Sequence, residues 1–187
     1  MTEPRDKLSD KALVRLVMQN HRGATAEFIH RYERMVFNLA LNLLGDYHDA
    51  QEVAQDTFIK AIRSINSFRA DSQLSTWVYR ICYNTCITHK RKKRLITTEI
   101  DYNKHDAMQT TEENEPSQNL QKAMESLSKK DRTIISLFYV DEMPTSEIAQ
   151  VVALSESNVR VKLHRARKKL KEMLHHYSKN NEINHSG

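Results

Sequence analysis

The stretch TSEIAQVVALSESNVRVKLHRARKKLK, residues 145–171, decides the fold. It follows Pro144 with Thr145, Ser146 and Glu147: a hydroxyl to cap a helix and a carboxylate for its first turn. Ile148, Ala149 and Val152 then recur at core spacing. Ala153-Leu154 breaks this helix, and Ser155 is placed to cap the next. There Val159, Leu163, Ala166, Leu170 and Met173 share a narrow arc, while Arg160, His164, Arg167, Lys168 and Lys171 point away. The pattern is helix, sharp turn, helix, with one side that packs and one free to meet an anion.

From Asn158 to Lys171 there are seven Lys or Arg and no Asp or Glu, on a rod of ~21 Å at ~1.5 Å per residue. That width suits the major groove of DNA, where side chains near the start of such a helix reach base edges. A charge run taken alone reads more simply as a solvated face. Placed after a compact helix and a three-residue turn, the helix-turn-helix reading is the better one.

The composition bounds the rest. At 187 residues the chain holds one medium domain or two small ones. Its 29 Lys plus Arg against 24 Asp plus Glu give a net charge of +5, which favours polyanionic partners only through where the charge lies. No apolar run approaches the ~20 residues of a membrane span, so no membrane insertion is expected. The amino terminus has no hydrophobic export core, and a soluble cytoplasmic protein follows as the expectation. Cys82 and Cys86, four residues apart on a predicted helix, read as buried thiols rather than a disulfide; with His89 they lack a fourth metal ligand. Only three glycines occur, so no glycine-rich loop can cradle a phosphate, and neither a nucleophile elbow nor an H-E-x-x-H helix is present. No catalytic residue, metal site or cofactor is expected.

Upstream, Ser9 to Asn20 reads as a short helix with Leu13, Leu16 and Val17 on one face, and Ala24 to Leu44 as a longer one ended by Gly45. Asp46 caps the following helix, in which Ala50, Val53, Ala54, Phe58, Ala61 and Ile62 form the packing stripe. Asp49, Glu52, Gln55, Asp56 and Lys60 stay outside, an acidic face whose plainest reading is solvation. Phe68 to Ser72 is a loop, and Ser75 is the expected cap of a helix running to about Arg94. Its aromatic residues Trp77, Tyr79 and Tyr83 do not share one face, and it closes on Lys90, Arg91, Lys92, Lys93 and Arg94. Five cations exceed what a helix dipole needs. Aromatics beside such charge either stack on unpaired bases or fill the core; for Trp77 the core reading is preferred.

Residues 95–119 lose the periodicity and carry six carboxylates against Lys104 alone, a flexible acidic linker by composition. Fully extended, its 25 residues span at most about 80 to 90 Å. Two modules so joined can touch DNA sites two helical turns apart, ~70 Å. Leu120 to Leu127 resumes helical spacing, Ser128 caps a helix from Lys129 to Tyr139, and the opening stretch follows. The expected fold is all-α: two small helical domains, 1–94 and 120–175, around the linker, with 176–187 a frayed tail.

Two ordered sets of residues now carry a resemblance that covers nearly the whole chain. The first runs from Asp49 to Phe58, then Phe68 to Ser72, then Ser75 to Ile81 with Asn84; the second comprises Glu147-Ile148-Ala149 and Val159 to Leu170. Together they resemble the group IV, or extracytoplasmic function (ECF), sigma factors of bacterial RNA polymerase. The resemblance implies a sigma domain two-like bundle followed by a sigma domain four-like helix-turn-helix. Asp49, Glu52, Gln55 and Asp56 would then dock on the clamp helices of core polymerase, with Gln51 standing where the family often has Glu, and the flap would be a second contact. Phe68, Arg69, Asp71, Ser72, Trp77, Arg80, Asn84, Lys90 and Arg91 would serve the minus-ten element, the loop capturing an unpaired base at a cost of a few kcal/mol of unstacking. Ser157 and Asn158 would belong to the set that binds the minus-thirty-five element, in which Arg160, Val161, His164 and Arg165 would lie near base edges and Arg167 and Lys168 nearer phosphate. The acidic linker would thread toward the polymerase active site, and an anti-sigma partner is common in the family. The family's turn usually carries Gly at the position of Ala153, and alanine accommodates positive φ less easily.

The competing reading is a free-standing helix-turn-helix regulator whose first module binds a signal or dimerises. Such a regulator has no need of the Asp49 to Phe58 pattern or of a base-capturing loop. An enzyme acting on nucleic acid ranks third, for want of a metal-ligand or nucleophile constellation.

Overall fold

The computed structural model describes residues 8–97 and 115–184; among these every regular element is helical. The chain divides into two compact units, Met1–Ile96 and Thr97–Gly187. The first holds α1 (Asp10–Met18), α2 (Arg22–Leu44), α3 (Tyr47–Ser64), a 3-10 turn (Ile65–Ser67) and α4 (Leu74–Thr97). The second holds α5 (Glu115–Glu125), α6 (Lys129–Tyr139), α7 (Thr145–Val152) and α8 (Glu156–Asn184).

Local chemistry sets most boundaries of the first unit. Ser9 Oγ accepts from Ala12 N, the imidazole of His21 accepts from Ala24 N, and Asp46 accepts from Asp49 N at 2.8 Å, each meeting one orphan donor of a helix start. Gly45 ends α2 at φ 79, where a Cβ would be strained, and its N–H donates to Leu41 O. Packing supplies the rest. Leu13, Phe28, Val36, Leu43, Val53, Leu74 and Val78 are buried, each such side chain contributing roughly 1.5 to 3 kcal/mol by leaving water. Phe28 meets Tyr32 and Phe58 edge-on, at centroid distances of 5.3 and 6.1 Å. Leu74, Val78, Tyr79, Cys82, Tyr83 and Cys86 form the buried side of α4, while Trp77 and Ile81 are half-buried and Ile87 is exposed, so its apolar residues do not all share one face. Both cysteines are free and buried, as expected, and Cys82 Sγ donates to Val36 O at 3.5 Å.

In the second unit α6 packs on α7 and α8, and α5 and α7 each pack on α8. Ser128 and Asp131 cap α6 reciprocally: Asp131 N donates to Ser128 Oγ at 3.1 Å, and Ser128 Oγ donates to Asp131 Oδ2 at 2.6 Å. Arg132 donates to the carbonyls of Met124 and Glu125 and so closes the end of α5. Ile134, Leu137, Ile148, Val151 and Leu163 are fully buried between the helices.

Three expectations need correction. Ser75 does not cap α4: the helix begins one residue earlier, at the buried Leu74, and Ser75 sits within its first turn. Thr145 does not cap α7, whose N-cap position is Pro144 without a side-chain bond. α8 itself continues to Asn184. The linker is shorter at both ends, because α4 runs to Thr97 and α5 starts at Glu115; its centre, 98–114, lies outside the described residues.

Candidate nucleic-acid and polymerase interfaces

The turn between α7 and α8 is the geometric heart of the second unit. Val152 is buried and Ala153 adopts φ 51, ψ 56, the left-handed conformation that glycine takes without strain. Its N–H donates to Ala149 O, and Leu154 N donates to the same carbonyl at 3.1 Å. Ser155 Oγ then accepts from Asn158 N at 3.3 Å, capping α8 as its position in the sequence predicts. The Thr145 hydroxyl, freed from capping, donates to Glu156 Oε1 at 2.6 Å and ties the first turns of the two helices together.

Val159, Leu163 and Ala166 point into the core, and Ser157, Asn158, Arg160, Val161, His164, Arg165, Arg167 and Lys168 are all exposed on α8. The structure thus brings the whole sequence-predicted set onto the outer side of one helix. Several cations on it are already occupied. Arg160 lies 2.7 Å from Glu156 Oε1, Lys162 reaches Asp131 Oδ1 at 2.8 Å, Arg167 Nε donates to Leu163 O, and Lys169 donates to Ser126 O. Hydrogen bonds from Thr145 and Arg160 hold the Glu156 carboxyl below its usual range. Burial pushes the Asp131 carboxyl up, but Lys162 and Ser128 outweigh it and hold it low.

In the first unit the loop after the 3-10 turn carries Phe68, Arg69, Asp71 and Ser72. Phe68 is half-buried with its ring edge-on to Trp77, centroids 5.7 Å apart, and Ala70 bends the chain at φ 58. Trp77 is itself half-buried, neither a core residue nor a free platform. Arg69 and Asp71 are exposed. On α4, Arg80, Asn84 and Arg91 are exposed and fall at helical spacing along one stripe that begins at Trp77. Lys90 is half-buried and at ~100° per residue falls outside that stripe, so the structure does not bring it together with the others.

On α3, Glu52, Gln55 and Asp56 are exposed and adjacent at helical spacing. Asp49 differs. Its side chain is 19% exposed, with Oδ2 2.6 Å from Lys93 Nζ and Oδ1 3.3 Å from the enclosed His89 Nε2, which lacks hydrogen-bond alignment. Burial raises the Asp49 carboxyl, and Lys93 and His89 together overcome this and depress it. The two residues of α4 that approach Asp49 lie 40 or more positions away in the chain, and sequence spacing held no sign of them.

Two helical units, the second a helix-turn-helix with a basic outer face, define a two-module DNA-reading architecture. Residues 28–96 match the family description Sigma-70 region 2, and residues 117–170 match Sigma-70, region 4. The ECF RNA polymerase sigma factor SigW of Bacillus subtilis (strain 168) is 30% identical over 179 residues, 88% of this chain and 96% of its own. RNA polymerase sigma factor YlaC of the same organism is 30% identical over 162 residues, 81% of this chain and 92% of its own. Among solved structures, the sigma factor RpoE bound to the anti-sigma factor NepR from Bartonella quintana superposes with a TM-score of 0.70 at 22% identity, covering 80% of this chain and 95% of that one. CnrH with the cytosolic domain of CnrY gives 0.64 at 23% identity, covering 88% and 96%. This chain belongs to the ECF sigma factors of the sigma-70 family. The free-standing regulator is not favoured, since the likeness runs through both units.

Proposed function

We propose that the two units of this sigma factor divide promoter recognition between them. The second unit reads the minus-thirty-five element as duplex through the outer face of α8; the first grips the minus-ten element with the Phe68 to Ser72 loop and the Arg80, Asn84 and Arg91 stripe. Glu52, Gln55 and Asp56 dock on the clamp helices of core polymerase, and the flap contacts the second unit. Asp49 contributes to this face mainly by holding α3 against α4. The observation that carries the reading is the alignment of eight sequence-predicted residues on the exposed side of one capped helix.

The protein acts where polymerase and chromosome meet, in the cytoplasm, and supplies no reaction chemistry of its own. No helix among the described residues is long and apolar enough to cross a membrane. An anti-sigma factor, of the kind bound to RpoE in its solved complex, is a proposed partner. Transcription in vitro with purified core polymerase and this chain as the sole specificity subunit tests the reading. Initiation from defined start sites supports it, and a chain that neither joins core polymerase nor directs initiation overturns it.

A further inference from the structure

Val161 is the exposed aliphatic residue on the outer face of α8: 47% of it is open to solvent, between Asn158 one turn before and Arg165 one turn after. It lines a shallow hollow with Asp131, Leu154, Asn158, Lys162 and Arg165. Leu154, half-buried in the helix-turn-helix turn, gives the hollow a second apolar wall. The Lys162 to Asp131 ion pair, at 2.8 Å, satisfies the charges at its edge from within the protein. What remains is a small apolar recess, rimmed by an amide and a guanidinium, on a face whose charge is otherwise positive from Asn158 to Lys171.

A polyanion offers such a recess few matching groups. In the major groove the apolar group presented at a base edge is the 5-methyl of thymine. The neighbours of Val161 have complementary preferences: a carboxamide pairs bidentately with adenine N6 and N7, and a guanidinium with guanine O6 and N7. Along the helix, Asn158, Val161 and Arg165 are separated by about 4.5 and 6 Å at ~1.5 Å per residue, against a base step of ~3.4 Å. Side chains one turn apart therefore address base pairs one or two steps apart.

We infer that Val161 and Leu154 form a thymine-methyl pocket, and that this chain selects a minus-thirty-five element with a thymine one or two steps from an adenine read by Asn158. The inference rests on the proposed reading of α8 and adds the base that its central residue selects. Arg167 and Lys168 on the same face position the helix on the backbone; the recess adds discrimination at one base pair.

The test is made on holoenzyme reconstituted from core polymerase and the full chain, using a promoter it selects from a randomised duplex pool. Each thymine of the upstream element is replaced singly by deoxyuridine, which removes the methyl and leaves every hydrogen-bonding group in place. One position is expected to lose about four-fold in affinity, the worth of one buried methyl group at ~0.8 kcal/mol. Val161→Ala is expected to bind the thymine promoter about as weakly as the wild type binds the deoxyuridine one, and to be indifferent to the exchange. Val161 lies on the surface, so this variant keeps its fold. Val161→Thr, which retains one methyl, should keep part of the discrimination. A selected element without thymine overturns the inference, as does indifference of the wild type at every position, or an undiminished deoxyuridine effect in Val161→Ala; initiation from the selected promoter in these cases leaves the sigma reading standing. Failure to select any promoter overturns both.

Discussion

The Asp49 carboxylate of α3 holds Lys93 of α4 at 2.6 Å across 44 residues of sequence. This pair converts part of an acidic face, read from sequence as a docking surface, into a brace inside the first unit. Asp49→Asn is expected to destabilise that unit by about 0.5 to 1 kcal/mol, a value kept small because Lys93 is largely exposed and screened. The sign of its pH dependence follows from the two partners. The depressed Asp49 carboxyl makes the brace effective above the unfolded value of ~3.9, and the effect is lost as pH falls through the lower folded value. Lys93, raised chiefly by its hydrogen bond to Asp49, gives an effect that is full below ~10.4 and is lost as pH rises through the higher folded value. Denaturant titrations of the two proteins should therefore differ most at neutral pH and converge in acid and in strong base. A constant difference in stability across that range would rule out the pair as its cause.

Asp56, about two turns along the same helix, is exposed. Reversing its charge in Asp56→Lys is expected to weaken assembly with core polymerase at least about ten-fold, ~1.4 kcal/mol, through like-charge contact at the docking face. The helical content and thermal midpoint of the variant should match the wild type. Co-purification at wild-type levels refutes the placement of Asp56.

The left-handed Ala153 gives a prediction of opposite sign. Removing the Cβ relieves about 1 to 2 kcal/mol of backbone strain, while glycine returns roughly 0.5 to 1 kcal/mol as unfolded-state entropy. Ala153→Gly should stabilise the second unit by about 0.5 to 1 kcal/mol and raise its melting temperature by roughly 2 to 8 °C. Ala153→Val should do the reverse. Thermal scans of the two variants decide it, and a lower melting temperature for the glycine variant contradicts the geometry of the turn.

Arg165 is exposed on α8 beside the hollow that Val161 lines. Arg165→Ala is expected to lower specific promoter affinity by about 1 to 3 kcal/mol and to relax preference at one base pair. Equal loss on every sequence, with a shallower salt dependence, would instead place Arg165 on phosphate.

Much of this architecture is legible in windows of four or five residues. Asp46, Ser128, Ser155 and Gly45 end or begin helices through contacts with their immediate neighbours, and the sequence carries those contacts directly. The outer face of α8 is legible for the same reason, because helical spacing alone sorts Val159 and Leu163 from Arg160 and His164. The misreadings arise where tertiary packing or a distant partner decides. Ser75 looks like a cap until burial of Leu74 extends the helix beneath it. Thr145 looks like one too, and its hydroxyl is drawn instead to Glu156, eleven residues on. The occupation of Lys162 by Asp131 and of Asp49 by Lys93 depends on helices meeting in space, which no local pattern encodes.

The continuity of α8 from Glu156 to Asn184 makes one jointless shaft of about 43 Å. Its opening turns carry the exposed basic face, and its later turns continue beyond the matched region, which ends at residue 170. A stiff shaft transmits torque as well as displacement, so a load on the far turns swivels the basic end instead of being absorbed at a hinge. Grip on the handle is thereby a means of steering the blade.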